Sequence, residues 1–124
     1  MKNLSFWRRF RFARKGIAGA FHREASFRTQ VACAIAATIA LAFLRPSPIW
    51  WALVFLAIAA VLGTELLNTA LESLADRLHP EQHPAIGFAK DCAAGAVLLF
   101  SLASVLIFAC LLIDGYLRLR SGAL

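Results

Sequence analysis

The sequence predicts an all-α membrane protein, with an N-terminal amphipathic surface helix followed by three transmembrane helices. Three observations carry that prediction. Hydrophobic residues make up 60% of the 124 positions, more than a soluble domain needs. Long apolar runs alternate with short polar turns that contain proline. Eight of the thirteen Lys and Arg fall within residues 1–28, ahead of the first run, where they suit an anionic lipid surface. A basic segment also suits nucleic acid, but no separate soluble domain remains to carry such binding, so no nucleic-acid partner is expected. The length fits one domain, 1–124.

Residues 4–24 form the surface helix. Phe6, Phe10, Ala13, Ile17 and Ala20 share one stripe, flanked by Trp7 and Phe21, while Arg8, Arg11 and Lys15 lie opposite. A helix of this kind lies in the membrane interface, apolar face among the acyl chains and cations at the headgroups. Arginines interrupt the segment throughout, so it is not expected to be a cleavable signal peptide. Phe12 sits off the stripe.

The first span is 25–44. Its apolar stretch, Val31 to Leu44, is short, and reaching back to Ala25 admits Arg28 and Gln30; Arg28 can snorkel to the surface. Arg45-Pro46-Ser47-Pro48 then breaks the helix. The turn is short enough to make the first two spans antiparallel neighbours. The second span, 49–76, opens on the interfacial pair Trp50-Trp51 and meets no breaker before Arg77. His79-Pro80-Glu81-Gln82-His83-Pro84 forms a polar loop. The third span, 88–113, includes an uncharged run from Cys92 to Ile113. Cys33, Cys92 and Cys110 sit inside apolar runs without CxxC or Cys/His spacing, which argues against a disulfide framework or a zinc site.

Three spans put the N-terminus and the 77–91 loop on one side, and the proline turn and the C-terminus on the other. Ten Lys and Arg stand on the first side against Arg45, Arg118 and Arg120 on the second. The positive-inside rule therefore places the N-terminus in the cytoplasm, in a bacterial inner membrane. With this topology Glu24, Arg28, Glu72, Asp76, Lys90 and Asp91 gather at one membrane depth.

The end of the second span carries the unusual feature. At about 100° per residue, Glu65, Asn68, Glu72 and Asp76 share one helical face amid leucines. An acidic residue near the bilayer centre costs roughly 2.5–3.5 kcal/mol on insertion scales, so this stripe calls for a partner. Glu72 and Glu24 can give oxygen ligands to a hard cation such as magnesium, which takes one or two carboxylates together with substrate phosphates. Lys90 offers a point charge for phosphate. Glu65 lies deepest, where a carboxylate can act as general base towards a lipid hydroxyl. The plainer reading is a solvated face emerging from the membrane; it suits Asp76 and Glu81 better than Glu65 and Asn68. His79 and His83 read as loop residues. No GxxxxGK[ST] or GxGxxG run is present.

The stripe Glu65-Leu-Leu-Asn68-Thr-Ala-Leu-Glu72-Ser-Leu-Ala-Asp76 resembles the signature of the small prokaryotic diacylglycerol kinases, E-x-[LIVM]-N-[ST]-[SA]-[LIV]-E-x-x-[VA]-D, at every specified position. The resemblance extends to Lys15-Gly16, Glu24-Ala25-Ser26-Phe27-Arg28 and Gly87-Phe88-Ala89-Lys90-Asp91, and so covers nearly the whole chain. It implies an ATP-dependent lipid kinase that converts diacylglycerol to phosphatidic acid, working as a homotrimer with sites shared between protomers. It further implies Glu65 as catalytic base and Glu24 and Glu72 as holders of the Mg2+ on ATP. Nucleotide contacts would come from Phe12, Glu24, Glu72, Glu81, Gln82, His83, Lys90 and Asp91. Lipid contacts would come from Phe21, Ser26, Phe27, Arg28, Thr29, Gln30, Phe43, Trp51, Glu65 and Asn68.

Departures from that pattern touch none of Glu24, Glu65, Glu72 or Lys90. Phe12 stands where relatives often carry a Tyr, Thr29-Gln30 where they often carry Gln-Glu, and Arg45 in a turn that is often acidic. Undecaprenol kinase is the alternative within the same architecture; the Glu24-to-Arg28 run favours the diacylglycerol branch. From a different class, a small proton-coupled transporter would use Glu65 as a relay. That reading leaves Glu24, Glu72 and Lys90 without a role.

Overall fold

One residue separates the first two helices, and its backbone makes the corner. The computed structural model describes residues 3–122, and among them the chain is all helix and connection, without a strand. Helix α1 runs Phe6–Arg23, α2 Ala25–Leu44, α3 Pro48–Leu78 and α4 Pro84–Arg120. Between α1 and α2 stands Glu24 in extended conformation, its N–H still bonded to Ala20 O at 2.8 Å. Arg28, in the first turns of α2, donates through Nη1 to Phe21 O (2.8 Å) and His22 O (3.0 Å). These carbonyls end α1 and have no partner within it, so the guanidinium both caps α1 and pins it to α2. Ala20 and Phe27 are buried inside the corner. At the other end of α1, the Ser5 side chain accepts from Arg8 N.

Arg45 closes α2 in the left-handed region, φ 47° and ψ 53°, with its N–H on Leu41 O. Glycine normally takes this position because it has no Cβ to clash. Pro48 then opens α3 at its first position, where a missing N–H costs nothing. The same device opens α4 with Pro84, and the His83 side chain caps it by accepting from Ala85 N at 3.1 Å. Helix α4 therefore begins before the apolar stretch and continues past Ile113 to Arg120, because neither Asp114 nor Gly115 stops a helix whose backbone bonds are otherwise complete.

Leu41 of α2, Val54 of α3 and Leu111 of α4 form the buried core, walled by Ala37, Leu44, Trp50, Trp51, Ile58, Ile107 and Phe108. These contacts make α2, α3 and α4 an antiparallel bundle whose tightest packing lies at the proline-turn end. Among the described residues the other buried apolar side chains are Ala20 and Phe27 in the α1–α2 corner and Pro46 in the proline turn. Large exposed ones include Leu98, Leu99, Leu102, Val105 and Leu106 on α4. Lipid is as apolar as leucine, so a membrane bundle has no hydrophobic reason to hide such faces. Helices α2, α3 and α4 are each long and apolar enough to cross a membrane.

Candidate active site

The far end of the bundle from that core is polar, and Glu65 is at its centre. Glu65 is 6% exposed and is the buried charged residue among those described. Its Oε1 accepts from Ser26 Oγ at 2.7 Å and its Oε2 from Gln30 Nε2 at 3.2 Å. Ser26 and Gln30 are four apart on α2 and so face the same way, which lets two donors grip one carboxylate. Such bonds offset the cost of burying a charge. Each oxygen keeps a lone pair for a further donor. Two acceptors nearby in sequence or contact, Gln30 Oε1 and Asn68 Oδ1, are buried without a partner. Buried acceptors of this kind are few in native proteins, and each asks for a donor.

Three turns further along α3 the acidic stripe becomes exposed, at Asp76. Lys90 Nζ of α4 pairs with Asp76 Oδ1, tying the two helices where the loop joins them. Glu72 acts on the same ammonium through space. Glu24 lines a second cavity, about 500 Å³, between α1 and α3. Its polar wall comes from Lys15, Arg23, Thr69 and Ser73.

The expected site residues divide by place. Ser26, Gln30 and Glu65 come together through direct bonds, and Asn68 lies one turn along. Lys90 and Asp76 meet, with Asp91 exposed beside them. Glu81, Gln82 and His83 are exposed in the α3–α4 loop, where the His79 ring packs edge-on against His83 at 5.6 Å. Phe12 and Phe21 are exposed on α1. Phe27 is only 2% exposed and Arg28 is engaged with α1 carbonyls, so both build the α1–α2 corner. Thr29 bonds back to Ala25 O. Phe43 and Trp51 lie at the proline-turn end, roughly 20 Å along the helices from Ser26 and Glu65; Phe43 is 82% exposed and Trp51 packs on the core and Phe55.

A resident metal centre would need a closed set of ligands. Among the described residues no three His, Cys, Asp or Glu side chains are grouped to hold an ion. The carboxylates of Glu24 and Glu72 are both half-buried, and neither makes a hydrogen bond or ion pair with another described residue. That donor set fits magnesium arriving on nucleotide phosphates, where the protein completes the shell with one or two carboxylates. Within one chain, Glu72 is not part of the cavity that Glu24 lines: that wall of α3 is Leu66, Thr69, Ala70 and Ser73, whereas Glu72 falls about 20° from Glu65.

The sequence pattern assigns no site role to Arg23, Thr69 or Ser73, and gives Lys15 only a place among the headgroup-facing cations. The Lys15-Gly16 pair was already part of the resemblance. Thr69 fills the [ST] position of the signature and Ser73 an unspecified one, but nothing local shows that α1 covers that face of α3.

Comparison with known proteins matches the sequence to a family. The family model described as prokaryotic diacylglycerol kinase matches residues 11–112. A protein of Synechocystis sp. named diacylglycerol kinase is 40% identical over 111 residues, covering 89% of this chain and 63% of that protein, which is therefore the longer of the two. The undecaprenol kinase of Bacillus subtilis is 37% identical over 102 residues, 82% of this chain and 83% of its own length. The diacylglycerol kinase of Escherichia coli is 32% identical over 98 residues, 79% and 80% of the two chains. With a family model spanning most of α1 through α4 and relatives above 30% identity, the chain belongs to the prokaryotic diacylglycerol kinase family.

Proposed function

We propose that this protein is a lipid kinase that transfers the γ-phosphoryl group of MgATP to diacylglycerol, giving phosphatidic acid. The observation that carries the reading is Glu65: a buried carboxylate, held by Ser26 and Gln30, with lone pairs left for a hydroxyl donor. The lipid hydroxyl oxygen attacks the γ-phosphorus, the bond to the β,γ-bridging oxygen breaks, and ADP leaves with that electron pair. The hydroxyl proton passes to Glu65. Phosphoryl transfer needs little covalent help, so positioning and charge neutralisation dominate. Bound magnesium would neutralise phosphate charge; Glu24 and Glu72 would hold it. Lys90, released from Asp76 or shared with it, would meet phosphate, and the exposed loop at Glu81, Gln82 and His83 with Asp91 would border the nucleotide.

In this reading α1 lies on the cytoplasmic surface of the inner membrane and three copies assemble with shared sites. The separate places of Glu24 and Glu72 within one chain favour that sharing. Undecaprenol is the second acceptor to consider, favoured by the Bacillus subtilis relative. Radiolabelled ATP with each lipid in mixed micelles separates them: labelled phosphatidic acid supports the proposal, and labelled undecaprenyl phosphate alone replaces the acceptor.

A further inference from the structure

The proline-turn end of the bundle carries cations that the kinase reading does not use. Arg45, Arg118 and Arg120 stand there against one acid, Asp114, which leaves two positive charges uncompensated. The fold puts the first two on neighbouring elements. Gly115 of α4 is buried against the end of α2, where a Cβ would stand 3.4 Å from Leu44 Cδ2. Arg45 follows Leu44 directly, and Arg118 lies three residues beyond Gly115, about 4.5 Å further along the helix axis. Residues 113–120 lie beyond the segment that the family model matches.

Two separate observations call for an anion at this end. Arg118 Nε donates to Asp114 Oδ2 at 3.1 Å, which orients the guanidinium, yet its Nη2 is buried without an acceptor. A buried guanidinium N–H left without an acceptor carries the full cost of its desolvation. Arg45 holds the left-handed backbone, φ 47°, that a glycine would adopt without strain. Backbone strain of this kind gathers where a residue is needed for more than its place in the fold. The surroundings select the anion. Ile49, Ile113, Tyr116 and Leu117 are exposed apolar or aromatic side chains close in sequence to these arginines. A phosphate that arrives with acyl chains covers such side chains, whereas a soluble anion leaves them bare.

We propose that the proline-turn end binds the phosphodiester of an anionic phospholipid. Arg118 Nη2 donates to a phosphate oxygen, for which the planar guanidinium fork is suited, and Arg45 adds a second positive charge. The acyl chains lie along the exposed side chains of α2 and α4. This lipid is a bound ligand and not the phosphoryl acceptor, since the site is at the opposite end of the bundle from Glu65. The inference does not depend on the kinase reading.

Hydrogen exchange in nanodiscs tests it without any activity measurement. When phosphatidylglycerol replaces about one third of the phosphatidylcholine, amide exchange over 114–120 should slow roughly fivefold, because a ligand on the folded end of α4 opposes its fraying. Arg118→Gln should remove that slowing and keep any slowing along α1, whose own cations meet the same headgroups. Arg45→Gly should weaken the slowing about twofold through loss of one charge. That variant relieves the backbone, so a folding defect cannot account for its effect. Millimolar inorganic phosphate in phosphatidylcholine nanodiscs should leave 114–120 unchanged. Equal exchange over 114–120 with and without phosphatidylglycerol overturns the proposal, as does slowing that survives Arg118→Gln. Slowing by inorganic phosphate as large as that by phosphatidylglycerol assigns the site to a soluble anion and overturns the lipid.

Discussion

Ser26 Oγ donates to Glu65 Oε1 at 2.7 Å across 39 residues of sequence. This bond fixes the rotamer of a buried carboxylate and sets α2 against α3 at the depth where the polar end of the bundle begins. Ser26→Ala removes the donor and leaves Gln30 as the sole grip. A misplaced carboxylate should lower kcat about tenfold, the equivalent of one hydrogen bond, with the KM for MgATP unchanged. Steady-state kinetics against both substrates checks this.

Glu24→Gln and Glu72→Gln should each raise the magnesium concentration needed for half-maximal rate, since each removes a charged oxygen ligand from a shell otherwise made of phosphate and water. Titrating magnesium at fixed free ATP reads the effect. A magnesium requirement equal to wild type for either variant removes that residue from the ligand set.

Lys90→Met should raise the KM for MgATP through loss of a phosphate-facing charge, while the unfolding midpoint stays close to that of the wild type. The pair with Asp76 is exposed, 34% for Lys90 and 66% for Asp76, and such pairs contribute little to folding. Nucleotide binding and thermal unfolding in detergent separate the two effects.

Arg28→Lys should loosen α1. A lysine cannot repeat the fork that satisfies Phe21 O and His22 O, and about 1 kcal/mol of stability should be lost. Faster amide exchange near the end of α1, with α3 and α4 unaffected, is the expected result.

Arg45→Gly should stabilise the chain by up to about 1 kcal/mol, because the left-handed residue that ends α2 would lose its Cβ clash. Thermal unfolding in detergent measures it directly.

Helix periodicity made the acidic stripe legible in the sequence, because Glu65, Asn68, Glu72 and Asp76 share a face whatever surrounds them. The three long apolar helices followed from the runs between proline turns. What local pattern did not show was the use of each polar residue across the fold. Phe27 and Arg28, given as lipid contacts by the family resemblance, also build the α1–α2 corner, a role created by the single extended residue Glu24. Gln30 stands where relatives often carry Glu; in the fold its amide bonds Glu65 and lines a cavity between α2, α3 and α4. Lys90 and Asp76 are far enough apart in sequence that only the antiparallel packing of α3 on α4 pairs them.

The central claim is that Glu65 receives the proton of a lipid hydroxyl during phosphoryl transfer. Its most direct measurement is phosphorylation of diacylglycerol and undecaprenol by Glu65→Gln with radiolabelled ATP, in protein shown by thermal unfolding to be folded. Loss of at least about 10²-fold in kcat, with the KM for MgATP retained, is the expected result. Lipid phosphorylation by that variant at close to the wild-type rate would contradict it.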